Sequence, residues 1–142
     1  ASAAEGFARL KDPSDLQMIQ RAFADERKMA ARLAQAFALV ALGQTSIDEF
    51  SPLRYLVNTL NSKSYRGVAE PYLIELARDA NLRTTLAAMI RAGTKEEKIG
   101  LSRVLAATGD RSVAPQLEAL SKDPDPDIAS EGLRALRIVR SR

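Results

Sequence analysis

Residues 104–125 read Val-Leu-Ala-Ala-Thr-Gly-Asp-Arg-Ser-Val-Ala-Pro-Gln-Leu-Glu-Ala-Leu-Ser-Lys-Asp-Pro-Asp and hold most of one structural unit. An apolar helix closes on Leu105 and stops at Gly109. A shorter helix follows, with Val113, Leu117 and Leu120 on one face. Asp125-Pro126 then opens another helix, an N-cap followed by a proline whose missing N–H has no partner to lose at a first helical position. The helix end recurs. Laid on Leu39–Gln44, the segment Val104–Asp110 puts Leu105 on Leu39 and Gly109 on Gly43. Lys-Asp-Pro also occurs twice, at 11–13 and 122–124.

Working outward, the last strong leucines of such helices are Leu10, Leu39, Leu76, Leu105 and Leu136, spaced by 29, 37, 29 and 31 residues. One helix pair per roughly 30 residues is the period range of helical repeat arrays. The long interval puts extra residues around Ser62–Arg66. Between the markers, helix signals follow one another closely. Asp12-Pro13 opens a helix with Leu16, Ile19, Gln20 and Phe23 on one face, and a separate helix carries Met29, Leu33, Ala36, Phe37 and Val40 before Gly43. Ser51-Pro52 begins a helix with Leu53, Leu56, Val57 and Leu60 inward. Another runs from about Arg66 to Asp79, with Pro71 limiting or kinking its start. Asn81 caps the helix of Leu82, Leu86, Met89 and Ile90, which ends at Gly93. Thr94 and Glu97 form a capping box for the helix of Ile99, Leu101, Val104 and Leu105. Ser112 caps the next, and the last buries Ile128, Gly132, Ala135, Leu136 and Val139. About eight helices result, and the expected fold is all-α: an α-solenoid, a superhelical stack of about four to five antiparallel helix pairs.

Composition agrees. The chain has 142 residues, 46% hydrophobic and 27% charged, with 5% aromatic and no Trp. Such a chain buries a continuous core, and its Ala- and Leu-rich content suits closely stacked helices rather than a large sheet. The net charge of +3 is slight and its cations are interleaved with acids, so bulk charge supports neither a nucleic-acid nor a membrane partner. Without cysteine, disulfides and thiolate metal sites are excluded. The longest apolar run, Ala36–Leu42, is too short to span a bilayer. The chain begins at Ala1, so it reads as one domain over residues 1–142, excised or processed from a longer chain. A trimmed secretory precursor and a cloned domain both fit, and the compartment stays open.

A helix ending in Leu105–Asp110, then Val113-Ala114-Pro115-Gln116-Leu117-Glu118-Ala119-Leu120, then Lys122-Asp123-Pro124-Asp125, resembles the HEAT-repeat family. It is most similar to the short bacterial repeats also seen in phycobilin lyases. The motif covers the last third of the chain, and the periodicity extends it. Earlier units depart from the Gly-Asp turn, with Asp12-Pro13, Gly43-Gln44 and Arg78-Asp79-Ala80-Asn81 in its place. The resemblance implies a superhelical stack whose second helices line a concave face, binding proteins most often and nucleic acid or a chromophore less often.

Catalytic and metal-binding patterns are sparse. There is no His, which removes His-based triads and the commonest metal ligand. Gly93-Thr94-Lys95 lacks the upstream glycine of a phosphate loop, and no Ser stands three residues before a Lys. Asp123, Asp125 and Asp127 alternate like the start of a calcium loop, but Ile128 stands where Gly and Arg134 where Glu is needed, so helix capping is the simpler reading. Arg134, Arg137, Arg140 and Arg142 make a basic end that suits a helix C-terminus. Asn61–Gly67 is the most polar loop, a connector before it is a contact loop. Met29 and Met89 are packing residues, whereas Met18 lies opposite Leu16 and Phe23.

The sequence thus predicts a non-catalytic protein-binding scaffold with no cofactor and no metal site. Rotating each second helix away from its apolar stripe nominates Met18, Arg21, Tyr55, Asn58, Thr84, Arg91, Glu118 and Lys122 as partner-binding residues. Two alternatives stand beside it: a bilin lyase-like or other small-ligand-binding accessory protein, and nucleic-acid binding through a basic groove. An exposed repeat end would also favour self-association.

Overall fold

The structure is a computed structural model that describes the backbone of residues 13–142 and the side chains of residues 27–142. The described residues are all helical, with seven α-helices and no strand: α1 (Pro13–Ala41), α2 (Pro52–Thr59), α3 (Arg66–Leu76), α4 (Ala80–Ile90), α5 (Lys95–Thr108), α6 (Ala114–Ser121) and α7 (Pro126–Arg140). A 3₁₀ turn, Arg111–Val113, precedes α6. The chain divides into two compact units, Ala1–Gln35 and Ala36–Arg142.

The largest difference from expectation lies in α1. Two helices were expected between Pro13 and Gly43, but one helix of 29 residues runs through. The linking residues, Ala24-Asp25-Glu26-Arg27-Lys28, contain neither Gly nor Pro, so nothing interrupts the backbone hydrogen bonds. Four to five helix pairs are therefore not found among the described residues. Beyond α1, they contain three pairs: α2 with α3, α4 with α5, and α6 with α7, each packed across a short turn. Across pairs, α5 packs on both α3 and α7, α4 packs on α6, and α2 packs on α5.

The helix boundaries follow local chemistry. Ser51 accepts the N–H of Arg54 at 3.3 Å ahead of Pro52, and Asp125 accepts from Asp127 (2.8 Å) and Ile128 (3.3 Å) ahead of Pro126. The capping box forms as expected, with Thr94 Oγ1 accepting from Glu97 N and Glu97 Oε1 accepting from Thr94 N. Two caps fall earlier than expected. Asp79, not Asn81, caps α4, accepting from Asn81 N (2.9 Å) and Leu82 N (3.1 Å). Asp110, not Ser112, caps the 3₁₀ turn, and Ser112 donates to it through both N–H and hydroxyl. In each case the acid sits two to three residues before the N–H groups it serves, which is the spacing a capping oxygen can reach. Gly43 ends α1 with φ +114°, a backbone conformation that a Cβ disfavours. Pro71 is tolerated inside α3.

In the second unit the core is aliphatic. Leu53, Leu56, Leu73, Leu86, Leu101, Leu105 and Leu117 are fully buried, and Val104, Ala135 and Val139 are equally enclosed. Each buried leucine contributes about 1.5–3 kcal/mol relative to exposure. Met89 is buried and Met29 half-buried, in line with packing roles. Phe37 stacks on Tyr72 with ring centroids 4.8 Å apart. At Gly132, α7 comes so close to α6 that a Cβ there would lie 2.7 Å from Leu120 Cβ and 3.0 Å from Ser121 N.

Polar ties run between the pairs. Glu97, itself buried, accepts from Asn61 Nδ2 at 2.6 Å, and Thr94 donates to Asn61 Oδ1, so the polar loop after α2 is fixed to the start of α5. Arg66 pairs with Glu96 at 2.8 Å, and Arg103 with Glu131 at 3.1 Å. Lys95 pairs with Asp127 at 2.9 Å and Asp125 at 3.2 Å. Exposed pairs of this kind contribute about 0–1 kcal/mol each, so the leucines carry the stability and the charges favour one register.

Candidate functional site

A cleft of about 410 Å³ opens between α4, the first turn of α5 and α6. Its apolar floor follows from helical spacing. Ala87 and Ile90 lie three apart on α4, and Ala119 and Leu120 are one turn beyond Pro115 and Gln116 on α6. Small alanines on both helices leave the space that larger side chains would fill.

Charged and polar groups form the rim. Arg91, the residue that ends α4, is exposed and lines the cleft, and its guanidinium has no hydrogen-bond or ion-pair partner among the described residues. Lys98, from the first turn of α5, pairs with Asp123 beyond α6 at 3.6 Å, and both side chains are about four-fifths buried. That pair neutralises itself, leaving the Arg91 charge uncompensated. On α6, Gln116 Oε1 is buried without a hydrogen-bond partner among the described residues. A buried acceptor left unpaired costs about 1–3 kcal/mol. The cleft therefore presents one unpaired cation above an apolar floor, while Gln116 Oε1 is enclosed out of reach of solvent.

The nominated residues separate on this surface. Arg91 lines the cleft; Glu118 on α6 and Lys122 at its end are not among the lining residues and pair with each other at 3.9 Å, with Glu118 also paired to Arg140 of α7 at 3.6 Å. Thr84 is exposed on α4 but its hydroxyl donates to Ala80 O at 3.0 Å, and it does not line the cleft. Asn58 is exposed and Tyr55 half-buried on α2, both away from the cleft lining. Met18 and Arg21 stand on α1 rather than on a second helix, and their side chains lie outside the described residues. Sequence reading missed Lys98, Gln116 and Asp123. Gln116 was legible as a polar residue next to Leu117 in a short helix. Lys98 was not, since nothing in sequence says that a first-type helix reaches this face.

Elsewhere several charges are engaged, whereas Arg111 and Arg137 have no ion-pair partner among the described residues. The Asp127 carboxylate, and then Asp125, hold the Lys95 ammonium above its usual range. Partial burial works upward on Asp125, but Lys95 and the Asp127 and Ile128 N–H groups outweigh it and hold its carboxyl below the usual range. The Ser112 hydroxyl and N–H do the same for Asp110. The alternating acids are thus taken up by lysines and helix N–H groups, and no group of three or more potential metal ligands occurs among the described residues. Of the basic end, Arg134 pairs with Glu131 and Arg142 donates to Gly109 O. On α7, Leu133 is the one large apolar residue exposed among those described. Leu42 and Phe50, in the segment between α1 and α2, are exposed at 83% and 93%. No helix of the described residues is long and apolar enough to cross a membrane.

Comparison with protein-family models, curated proteins and solved structures finds no match.

Proposed function

We propose that the chain is a non-catalytic scaffold: a stack of HEAT-like helix pairs that binds a protein partner on the face formed by α2, α4 and α6. The order of packing supports the stack. Like helices meet from pair to pair, α3 on α5 on α7 and α4 on α6, with α2 meeting the next pair through α5; the α3–α5–α7 succession is what translation of one module onto the next produces. The observation that carries the binding role is the cleft between α4 and α6, where the unpaired Arg91 stands over an apolar floor on the face nominated for recognition.

A protein partner suits this face better than the alternatives. The cleft has no aromatic wall to enclose a chromophore. Arg103, Arg134 and Arg140 are paired with Glu131 and Glu118, so they do not form the free cationic track that a phosphate backbone requires.

Site-specific photo-crosslinking tests the proposal. A photo-reactive residue at Ala119, in the cleft, is compared with one at Ser130, exposed on α7. A protein captured from Ala119 and not from Ser130 supports the face. Equal capture from both positions, or none from Ala119, overturns it.

A further inference from the structure

Resting on the scaffold reading of that face, we propose that the α4–α6 cleft receives a second copy of this chain, Phe50 of one copy seated on the cleft floor of another with Glu49 paired to Arg91. The segment between α1 and α2 supplies the inserting half. Phe50 is 93% exposed, with Leu42 at 83% and Ile47 at 43% in the same loop. A phenyl ring is among the largest apolar surfaces a side chain can bury, and three exposed apolar residues in one loop mark a contact surface. The loop is held in place rather than loose. Ser46 Oγ donates to Asp48 Oδ2 at 2.8 Å, Ser51 N donates to Asp48 O at 3.0 Å, and Arg54 Nε donates to Ile47 O at 3.2 Å. Ordering it in a complex therefore costs little. Glu49, adjoining the ring, is exposed and has no hydrogen bond or ion pair among the described residues.

The cleft is the complement of that loop in shape and in sign. Its volume of about 410 Å³ has room for the ring, since a cavity of about 150 Å³ holds benzene. Its floor of Ala87, Ile90, Ala119 and Leu120 is apolar. Arg91 adjoins Ile90 of that floor as Glu49 adjoins Phe50, so the unpaired cation of one surface meets the unpaired acid of the other. Lys98 and Asp123 neutralise each other on the rim and leave the pairing undisturbed. An anionic lipid surface does not suit the loop, because Asp48 and Glu49 would be repelled by its headgroups. Nor does the ring fill the cleft of its own chain. Gly43 and Thr45 of the loop share a hollow with Asp79 and Asn81 at the start of α4. Arg91 stands at the other end of that helix, roughly 15 Å along an axis that rises about 1.5 Å per residue. Ring and cleft are thus separate surfaces of one molecule, and each copy can both insert and receive.

The test is analytical ultracentrifugation of the intact chain over a concentration series reaching about 1 mM, the weak range expected of a small interface. The average mass of the wild type is expected to rise with concentration. Phe50→Ser should weaken association at least about tenfold, as loss of an aromatic anchor does, and Arg91→Glu at least about fivefold by setting like charges together. Arg137→Glu, the same charge change on α7, should alter it less than twofold. Both surfaces are exposed, so urea melts of the variants should match the wild type. The decisive arm mixes the two variants. Phe50→Ser keeps an intact cleft and Arg91→Glu an intact ring, so an equimolar mixture should form a dimer at concentrations where each alone is monomeric. A wild type that stays monomeric throughout, association that survives either variant, or a mixture that stays monomeric overturns the inference. The photo-reactive residue at Ala119 separates this failure from that of the scaffold. If the purified chain does not crosslink to itself there but another protein is captured selectively, the scaffold stands with a different partner; if neither is captured, both readings fall.

Discussion

Gly132→Ala and Gly67→Ala are the same substitution with opposite expected signs. In an ordinary helix interior, Ala is more favourable than Gly by about 0.8–1.0 kcal/mol. At Gly67, in the first turn of α3, an added Cβ meets nothing within 4 Å, so the substitution should stabilise by up to about 1 kcal/mol. At Gly132 the new Cβ would lie 2.7 Å from Leu120 Cβ and 3.0 Å from both Leu120 C and Ser121 N. Two of those three atoms are backbone and cannot rotate away, so α7 must move off α6. Overpacking of this kind costs about 1–3 kcal/mol, which exceeds the helix gain and leaves a net loss of about 0–2 kcal/mol. The two variants should therefore differ by about 1–3 kcal/mol, several degrees in Tm for a chain of this size. Urea titration followed by circular dichroism reads this directly, with the slope expected to stay constant. A Gly132→Ala midpoint that rises as far as that of Gly67→Ala would refute the close crossing of α6 and α7.

The remaining expectations concern polar ties. Asp79→Ala should lose about 0.5–2 kcal/mol and Asn81→Ala far less, since the cap of α4 is Asp79; urea midpoints compare them. Asn61→Ala removes the donor to buried Glu97 and should lose about 1–3 kcal/mol in the same assay. Asp110 and Asp125 are held below their unfolded pKa of about 3.9, so their contribution is present above that pH and fades as pH falls through the lower folded values. Lys95 is held above its ordinary value, so its contribution persists through neutral pH and fades only as pH rises through the raised value. The Tm of Asp125→Asn should accordingly lie below wild type at neutral pH and converge with it in strong acid.

Much of the fold is legible where a local signal decides it. The Ser51-Pro52, Thr94/Glu97 and Asp125-Pro126 starts form where their side chains allow, and the leucine stripes of α2 through α7 are buried as their spacing requires. Reading failed where a stop had to be inferred from periodicity alone. The separate stripes of Leu16–Phe23 and Met29–Val40 suggested two helices, but without Gly or Pro between them the backbone continues, and α1 is a single helix. The caps at Asp79 and Asp110 were misplaced because Asn81 and Ser112 are also good capping residues, and the choice depends on where the first free N–H groups fall. The candidate site is legible only in part. Arg91 emerges from a helical wheel, since exposure at a helix end is a local property. Its lack of a partner, the idle Gln116 acceptor and the arrival of Lys98 from α5 depend on how three helices converge.

Methyl–methyl NOE spectroscopy on the isotope-labelled chain reads the succession of helix pairs most directly. Stacked modules predict that methyls of Leu101, Val104 and Leu105 on α5 show contacts to Leu73 or Leu76 on α3 and to Ile128 or Leu136 on α7, with no contact network joining α3 to α7. A dense set of α3–α7 contacts, as in a closed bundle around one axis, would contradict the stack and the recognition face built on it.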